Sequence, residues 1–223
     1  MEQDEAYRRI WQTFRMFRRL ADGRHDTPDW RSHDGVYAVC CIRVPAAALQ
    51  PDLDTFRRVL AGFPAVRIHP DHFLHIMLQE LGFVCETPGR RDEISPARLD
   101  EFVTVAAAAI PESEPFQIDL GGANSFQDAA FLDVHDLGRC ARLHSRLRDL
   151  AGITTIPKYA YLPHMTLAHY IADAPVGGMA ATLADWRDHH FGTFSVTQVE
   201  VVTLDVDQAY PPLKPYAVFP LRG

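Results

Sequence analysis

Apolar positions in this chain fall into two periodicities, and they alternate along its length. Ile10, Phe14, Phe17 and Leu20 recur at three- and four-residue spacing, with Tyr7 and Trp11 extending the stripe, which predicts a helix over residues 4–21. Residues 23–35 are rich in Asp, Pro and Ser and read as a loop. Val36 to Val44 is a nearly continuous apolar run closed by Pro45, the pattern of a buried strand. A helix over 51–60, a short strand over 65–69 and a strand over 73–84 follow. A helix then starts at Ser95-Pro96, with Ser95 as its cap, and stops before Pro111. Residues 116–120 alternate as a strand that Gly121-Gly122 ends, and 129–134 form the next one. Asp136 caps a helix reaching Ala151, with Gly152 as its stop. After a Pro- and Tyr-containing approach over 153–162 come a strand over 164–171, a helix over 177–190, a long strand over 194–206 and a last strand over 216–221.

Two of these strands open alike. One begins His75-Ile76-Met77-Leu78 and the other His164-Met165-Thr166-Leu167. Side chains i and i+2 of a strand share a face, so His75 goes with Met77 and His164 with Thr166. Each of these strands is followed by a helix and further strands. The expected fold is therefore α+β and two-lobed, each lobe an antiparallel sheet with helices on its outer face, with one His motif per lobe in a central cleft. Residues 1–34 form an N-terminal helix-and-loop extension to a domain over 35–223. Two imidazoles facing one cleft make a general acid–base pair, because near their ordinary pKa one is neutral while the other is protonated.

Composition narrows the ligands. The 223 residues are 47% hydrophobic and carry a formal charge of −7. That balance argues against holding long nucleic acid by bulk charge, since such affinity comes from many Lys/Arg–phosphate contacts. A small anion or the end of an RNA remains compatible where Arg and His gather locally. Cys40, Cys41, Cys85 and Cys140 show no metal or redox spacing and read as reduced thiols, with Cys40 and Cys41 on opposite faces of their strand. No apolar run approaches the ~18–20 residues of a membrane span. The acidic start Met1-Glu2-Gln3-Asp4-Glu5 lacks signal-peptide character, so the expectation is a cytoplasmic monomer.

Leu74-His75-Ile76-Met77-Leu78-Gln79-Glu80-Leu81-Gly82-Phe83 resembles the first signature of the 2H phosphoesterases, the superfamily of 2′-5′ RNA ligase-like proteins and cyclic phosphodiesterases. Pro163-His164-Met165-Thr166-Leu167-Ala168 resembles the second, including the Pro before the His. The resemblance spans residues 35–221. It implies metal-free hydrolysis of a cyclic 2′,3′-type or 2′-5′-linked phosphodiester of a nucleotide or RNA end, with His75 and His164 catalytic and no cofactor. It also implies a hydroxyl two residues after each His, bonded to phosphate oxygens. Thr166 supplies one. Met77 departs from the pattern, and a thioether cannot donate. The alternative is then a weakened module that binds nucleotide or RNA ends without turnover.

Other residues are weighed against this site. Tyr159 and Tyr161 precede the second motif and either stack a base or pack the strand approach. Arg43 and Lys158 are candidate phosphate neighbours, with solvated surface as the plainer reading. His69, His72 and His75 invite a metal reading, but Pro70 breaks any helix that would align them. His169 lies at an odd offset from His164 and is expected on the opposite face. His189-His190 close the helix before them, where positive charge suits the dipole. The two Gly-Gly pairs are turns and not a phosphate loop. The arginines of the first helix form a solvated face.

Overall fold

The computed structural model describes residues 2–24, 28, 30–33, 35–152 and 160–223. Among these residues the helices are α1 (Glu2–Met16), α2 (Asp52–Leu60), α3 (Pro96–Ala109), α4 (Arg139–Ala151) and α5 (Val176–Asp185). The strands are β1 (Val36–Arg43), β2 (Val66–Ile68), β3 (His75–Val84), β4 (Glu93–Ile94), β5 (Phe116–Ser125), β6 (Ala129–His135), β7 (His164–Tyr170), β8 (His190–Val196), β9 (Gln198–Asp205) and β10 (Lys214–Pro220). The α+β class is as the pattern indicates. The strands run in the order β10-β9-β1-β3-β7-β6-β5-β8, with β2 added to β7 and β4 to β3. Among the described strand pairs only β3–β4 is parallel.

The two halves expected as separate sheets are continuous. One arm is β10-β9-β1-β3 and the other β7-β6-β5-β8. Among the described residues β3 and β7 pair only through Ile76 and Met165. Each of those residues follows its motif His directly, so both motifs lie at the seam. Phe14, Phe56, Leu99, Phe102, Leu143, Leu147 and Leu183 from the five helices join Ile76, Leu78, Met165 and Leu167 in one buried core. A smaller cluster (Tyr37, Val39, Cys41, Phe73, Phe83, Leu204) occupies the other face. Cys40 and Cys41 fall into different clusters, as their adjacency in a strand requires.

Local chemistry explains most boundaries. The Ser95 side chain accepts from the Arg98 N–H at 3.2 Å, and Pro96 fills the first helical position of α3. Gly152 ends α4 at φ +60°. The Asp136 carboxylate accepts from the Gly138 and Cys140 N–H groups, capping α4 from just ahead of its first turn.

Several expectations are corrected. The first helix stops at Met16, and Arg19 then bridges to Pro175. Its exposed face carries Arg8 and Arg9 paired with Glu5. Gly121-Gly122 does not end β5. Gly122 adopts φ +79° where a side chain would meet the Arg187 backbone oxygen, and the strand passes through this irregularity to Ser125. The strand expected over 194–206 is two, β8 and β9, separated at Thr197. Gly177-Gly178 lie inside α5, which ends at Asp185. His189 and His190 therefore do not close a helix; their Nε2 atoms lie 3.1 Å from Asp52 and 2.7 Å from Asp119. No described helix is long and apolar enough to cross a membrane.

Candidate active site

Both motif histidines are held in the same way. The His75 Nδ1–H donates to the Phe73 carbonyl at 2.7 Å, and the His164 Nδ1–H donates to the Leu162 carbonyl at 2.9 Å. A carbonyl only accepts, so each ring carries its proton on Nδ1, and Nε2 is the nitrogen that bears the lone pair in the neutral form. Each ring also meets an aromatic edge to face. Phe73 stands 5.2 Å from His75 at 90°, and Phe126 stands 5.0 Å from His164 at 86°. Both histidines line a single cleft of about 260 Å³. Burial against Phe126 and Phe131 pushes the His164 pKa below its ordinary 6.5, opposed by the Leu162 carbonyl and Asp128.

The seam fixes which groups oppose each other. Continued one residue either way, the Ile76–Met165 register sets His75 across from Thr166 and Met77 across from His164. All four line the cleft.

A bulge in each motif strand extends the site beyond what alternation predicts. In β3, Met77 and Gln79 oppose Cys41 and Cys40, so Leu78 is an extra residue. In β7, Thr166 and Ala168 oppose Phe131 and Ala130, so Leu167 is extra. An extra residue shifts the side-chain alternation by one. The fifth residue after each His, Glu80 and His169, therefore returns to the cleft. This overturns the expectation that His169 faces away from His164. His169 Nδ1 lies 3.2 Å from His69 Nε2 and 3.3 Å from the Tyr210 hydroxyl, and all three residues line the cleft. His72 turns outward to the Tyr210 carbonyl at 3.0 Å. The three histidines of the 69–75 stretch thus go to different partners, and among the described residues no group of three or more ligating side chains is placed to hold a metal ion.

Two other candidates are placed elsewhere. Arg43 opposes His75 in register, but its guanidinium donates to Glu200 at 2.7 Å and to the Leu213 carbonyl, and it does not line the cleft. Glu200 is 5% exposed, and pairing it draws Arg43 away. Tyr161 does not line the cleft either. Its hydroxyl donates to the Met77 carbonyl at 2.9 Å, while its ring stacks on His144 at 4.0 Å. His144 in turn donates to the Leu78 carbonyl at 2.6 Å. These two side chains satisfy β3 carbonyls beyond the single seam pairing, and burial lowers the His144 pKa. Lys158 and Tyr159 lie outside the described residues. Among the described residues that line the cleft there is no Lys or Arg; its ionisable groups are four histidines, Glu80, Asp128 and Asp205, with Tyr37 and Tyr210 beside them.

Sequence reasoning missed Glu80, His69, Tyr210, Phe73 and Phe126 as cleft residues. For Glu80 the only signal was its place within the motif stretch, and no sequence feature marks the bulges that bring Glu80 and His169 inward.

Comparison with known proteins fits this geometry. The family model described as the 2′-5′ RNA ligase superfamily matches residues 45–208, well over half of the chain. No curated protein matches by sequence. Solved structures do match in fold. TT0787 of Thermus thermophilus aligns at TM-score 0.63 and 21% identity, over 84% of this chain and 98% of that one. E. coli LigT complexed with 3′-AMP aligns at TM-score 0.63 and 17% identity, over 83% and 98%. A further structure, titled as a phosphoesterase, aligns at TM-score 0.61 and 17% identity, over 85% and 100%.

Proposed function

Because the chain belongs to the 2′-5′ RNA ligase superfamily, we propose that its two-histidine cleft hydrolyses a 2′,3′-cyclic or 2′-5′-linked phosphodiester of a nucleotide or RNA end without a metal ion. One observation carries this reading. Two imidazoles sit on adjacent strands on either side of one backbone pairing, each with Nδ1 tied to a carbonyl, and both line one cleft.

In this scheme water attacks phosphorus, and the P–O bond to one ribose oxygen breaks. The enclosed His164, held neutral by burial, takes the water proton on Nε2. His75, protonated on both nitrogens, gives its Nε2 proton to the departing ribose oxygen. The Thr166 hydroxyl donates to a non-bridging phosphate oxygen. Two imidazoles thereby supply both proton transfers, and no Lewis acid is needed. LigT structures hold 3′-AMP, NADP+ and ATP, which supports a small nucleotide as the ligand class.

The test is turnover of a panel of 2′,3′-cyclic, 3′,5′-cyclic and 2′-5′-linked nucleotides. The expected result is a loss of about 10²–10⁴-fold in kcat in His75→Ala and in His164→Ala, with no inhibition by a chelator. Full turnover with either imidazole removed would sink the reading. A second reading rests on Met77, whose thioether stands where a phosphate-bonding hydroxyl is expected. Here the cleft binds nucleotide ends and does not turn them over. Saturable binding across the panel with no product distinguishes it.

A further inference from the structure

The two bulged strands give the cleft two chemically different ends. β3 and β7 are antiparallel at the seam, so their fifth residues lie in opposite directions from the paired histidines. One end holds His169 with His69 and Tyr210. The other holds Glu80, opposite Val39 in register and hydrogen-bonded to Tyr37. Beside Glu80 stands Trp30, which lines the cleft and is backed by the Tyr37 ring at 4.7 Å and the Phe83 ring at 4.8 Å. Tyr37 and Phe83 are buried, so Trp30 presents a supported aromatic surface. Asp205 lines the cleft as well, but the Asp207 N–H at 3.0 Å and the Gln208 amide at 2.6 Å already occupy it. Glu80 is the carboxylate of this end whose acceptor sites are not taken by the loop.

Charge sorts an asymmetric ligand between these ends. A phosphodiester belongs between the histidines, and carboxylates disfavour a second anion beside Glu80. Met77, next to the seam, and Glu80 oppose Cys41 and Val39, so the bulge leaves two strand steps between them, about 7 Å, within the span of a nucleoside. The base of a bound nucleotide therefore reaches Glu80 and Trp30. An ionised carboxylate only accepts hydrogen bonds. Adenine and cytosine set a ring acceptor next to their amino group, and uracil flanks its one N–H with two carbonyls. Guanine alone among the four places two donors, N1–H and the N2 amino group, side by side to match both carboxylate oxygens.

We propose that Glu80 is a specificity-determining residue that selects guanine, accepting from N1–H and the N2 amino group while the base rests on Trp30. The proposal rests on the nucleotide phosphodiesterase reading above. A matched bidentate pair separates the right base from the wrong one by about 5- to 150-fold. The test is kcat/KM for guanosine and adenosine 2′,3′-cyclic phosphates with wild type and with Glu80→Gln, whose amide replaces one acceptor by a donor. Wild type is expected to prefer guanosine by about tenfold or more, with inosine in between because it lacks the N2 amino group. Glu80→Gln is expected to bring the guanosine-to-adenosine ratio below about threefold, and Glu80→Asp to restore part of it. An indifferent wild type, or a ratio unchanged in Glu80→Gln, overturns the proposal. If wild type turns over neither substrate, the phosphodiesterase reading fails alone. Calorimetric affinities for guanosine and adenosine 3′-monophosphates then apply the same ratio criterion to Glu80.

Discussion

The two arms of the sheet offer the cleft the same three positions, the motif His and the second and fifth residues after it, and fill them differently. The first arm supplies His75, Met77 and Glu80; the second supplies His164, Thr166 and His169. Their supports differ too. The first motif is backed by neutral donors, Tyr161 and His144, on the Met77 and Leu78 carbonyls. Opposite His164 in register stands Asp133, 2% exposed and bonded to Arg187 at 2.6 Å and to the Asn124 amide at 2.9 Å. One geometry thus carries different chemistry at each position: the His-to-carbonyl bond orients each imidazole, and the bulge after it returns the fifth residue to the cleft.

The largest break in this comparison comes from the ionic support. Arg187→Met leaves Asp133 buried without its cation and is expected to cost about 3–5 kcal/mol in denaturant unfolding at neutral pH. Burial already raises the Asp133 pKa to about 6. Arg187 holds that value down, so its loss raises the Asp133 pKa further and the variant takes up the proton at a higher pH than wild type; its deficit is expected to shrink as pH falls toward 6 and to level off below it, where both proteins carry the protonated carboxyl. A deficit that is the same at pH 5 and pH 7.5 refutes the assignment.

Making the arms alike is the next test. Met77→Thr restores a hydroxyl to the first motif and is expected to raise kcat about tenfold, a fraction of what a lost oxyanion donor costs. No change would show that another donor already serves that oxygen. Removing the neutral support has a smaller effect. Tyr161→Phe deletes one hydrogen bond to the Met77 carbonyl and is expected to lower stability by about 1 kcal/mol, measured by the urea midpoint. Smallest is a shift along the pH axis. Burial depresses the His164 pKa, so the neutral base persists on acidification, and the acid limb of kcat/KM is expected below pH 6.5. A limb above 6.5 would exclude His164 as the base.

The elements were legible because they follow from local patterns. Examples are the apolar run at 36–44, Ser95-Pro96 starting α3 and Gly152 ending α4. The motif histidines and Thr166 were legible as strand positions sharing a face. The facing of His169 was not, because strict alternation carries one error past each bulge, and Leu78 and Leu167 look like ordinary core residues. Nor was the fate of Arg43, whose partner Glu200 lies far along the chain and enters only through the pairing of β1 with β9. Tyr161 was read by its nearness in sequence to the motif, yet it serves the opposite motif, from behind the strand.

The lone Ile76–Met165 pairing has an evolutionary consequence. Among the described residues no second main-chain pairing ties β3 to β7, so a substitution deep in one arm reaches the other through the shared core and through the Tyr161 and His144 bonds to β3 carbonyls. Under the proposed function, substrate choice is then free to drift at the Glu80 end or at the His169 end, while the residues flanking that single rung keep the proton chemistry constant.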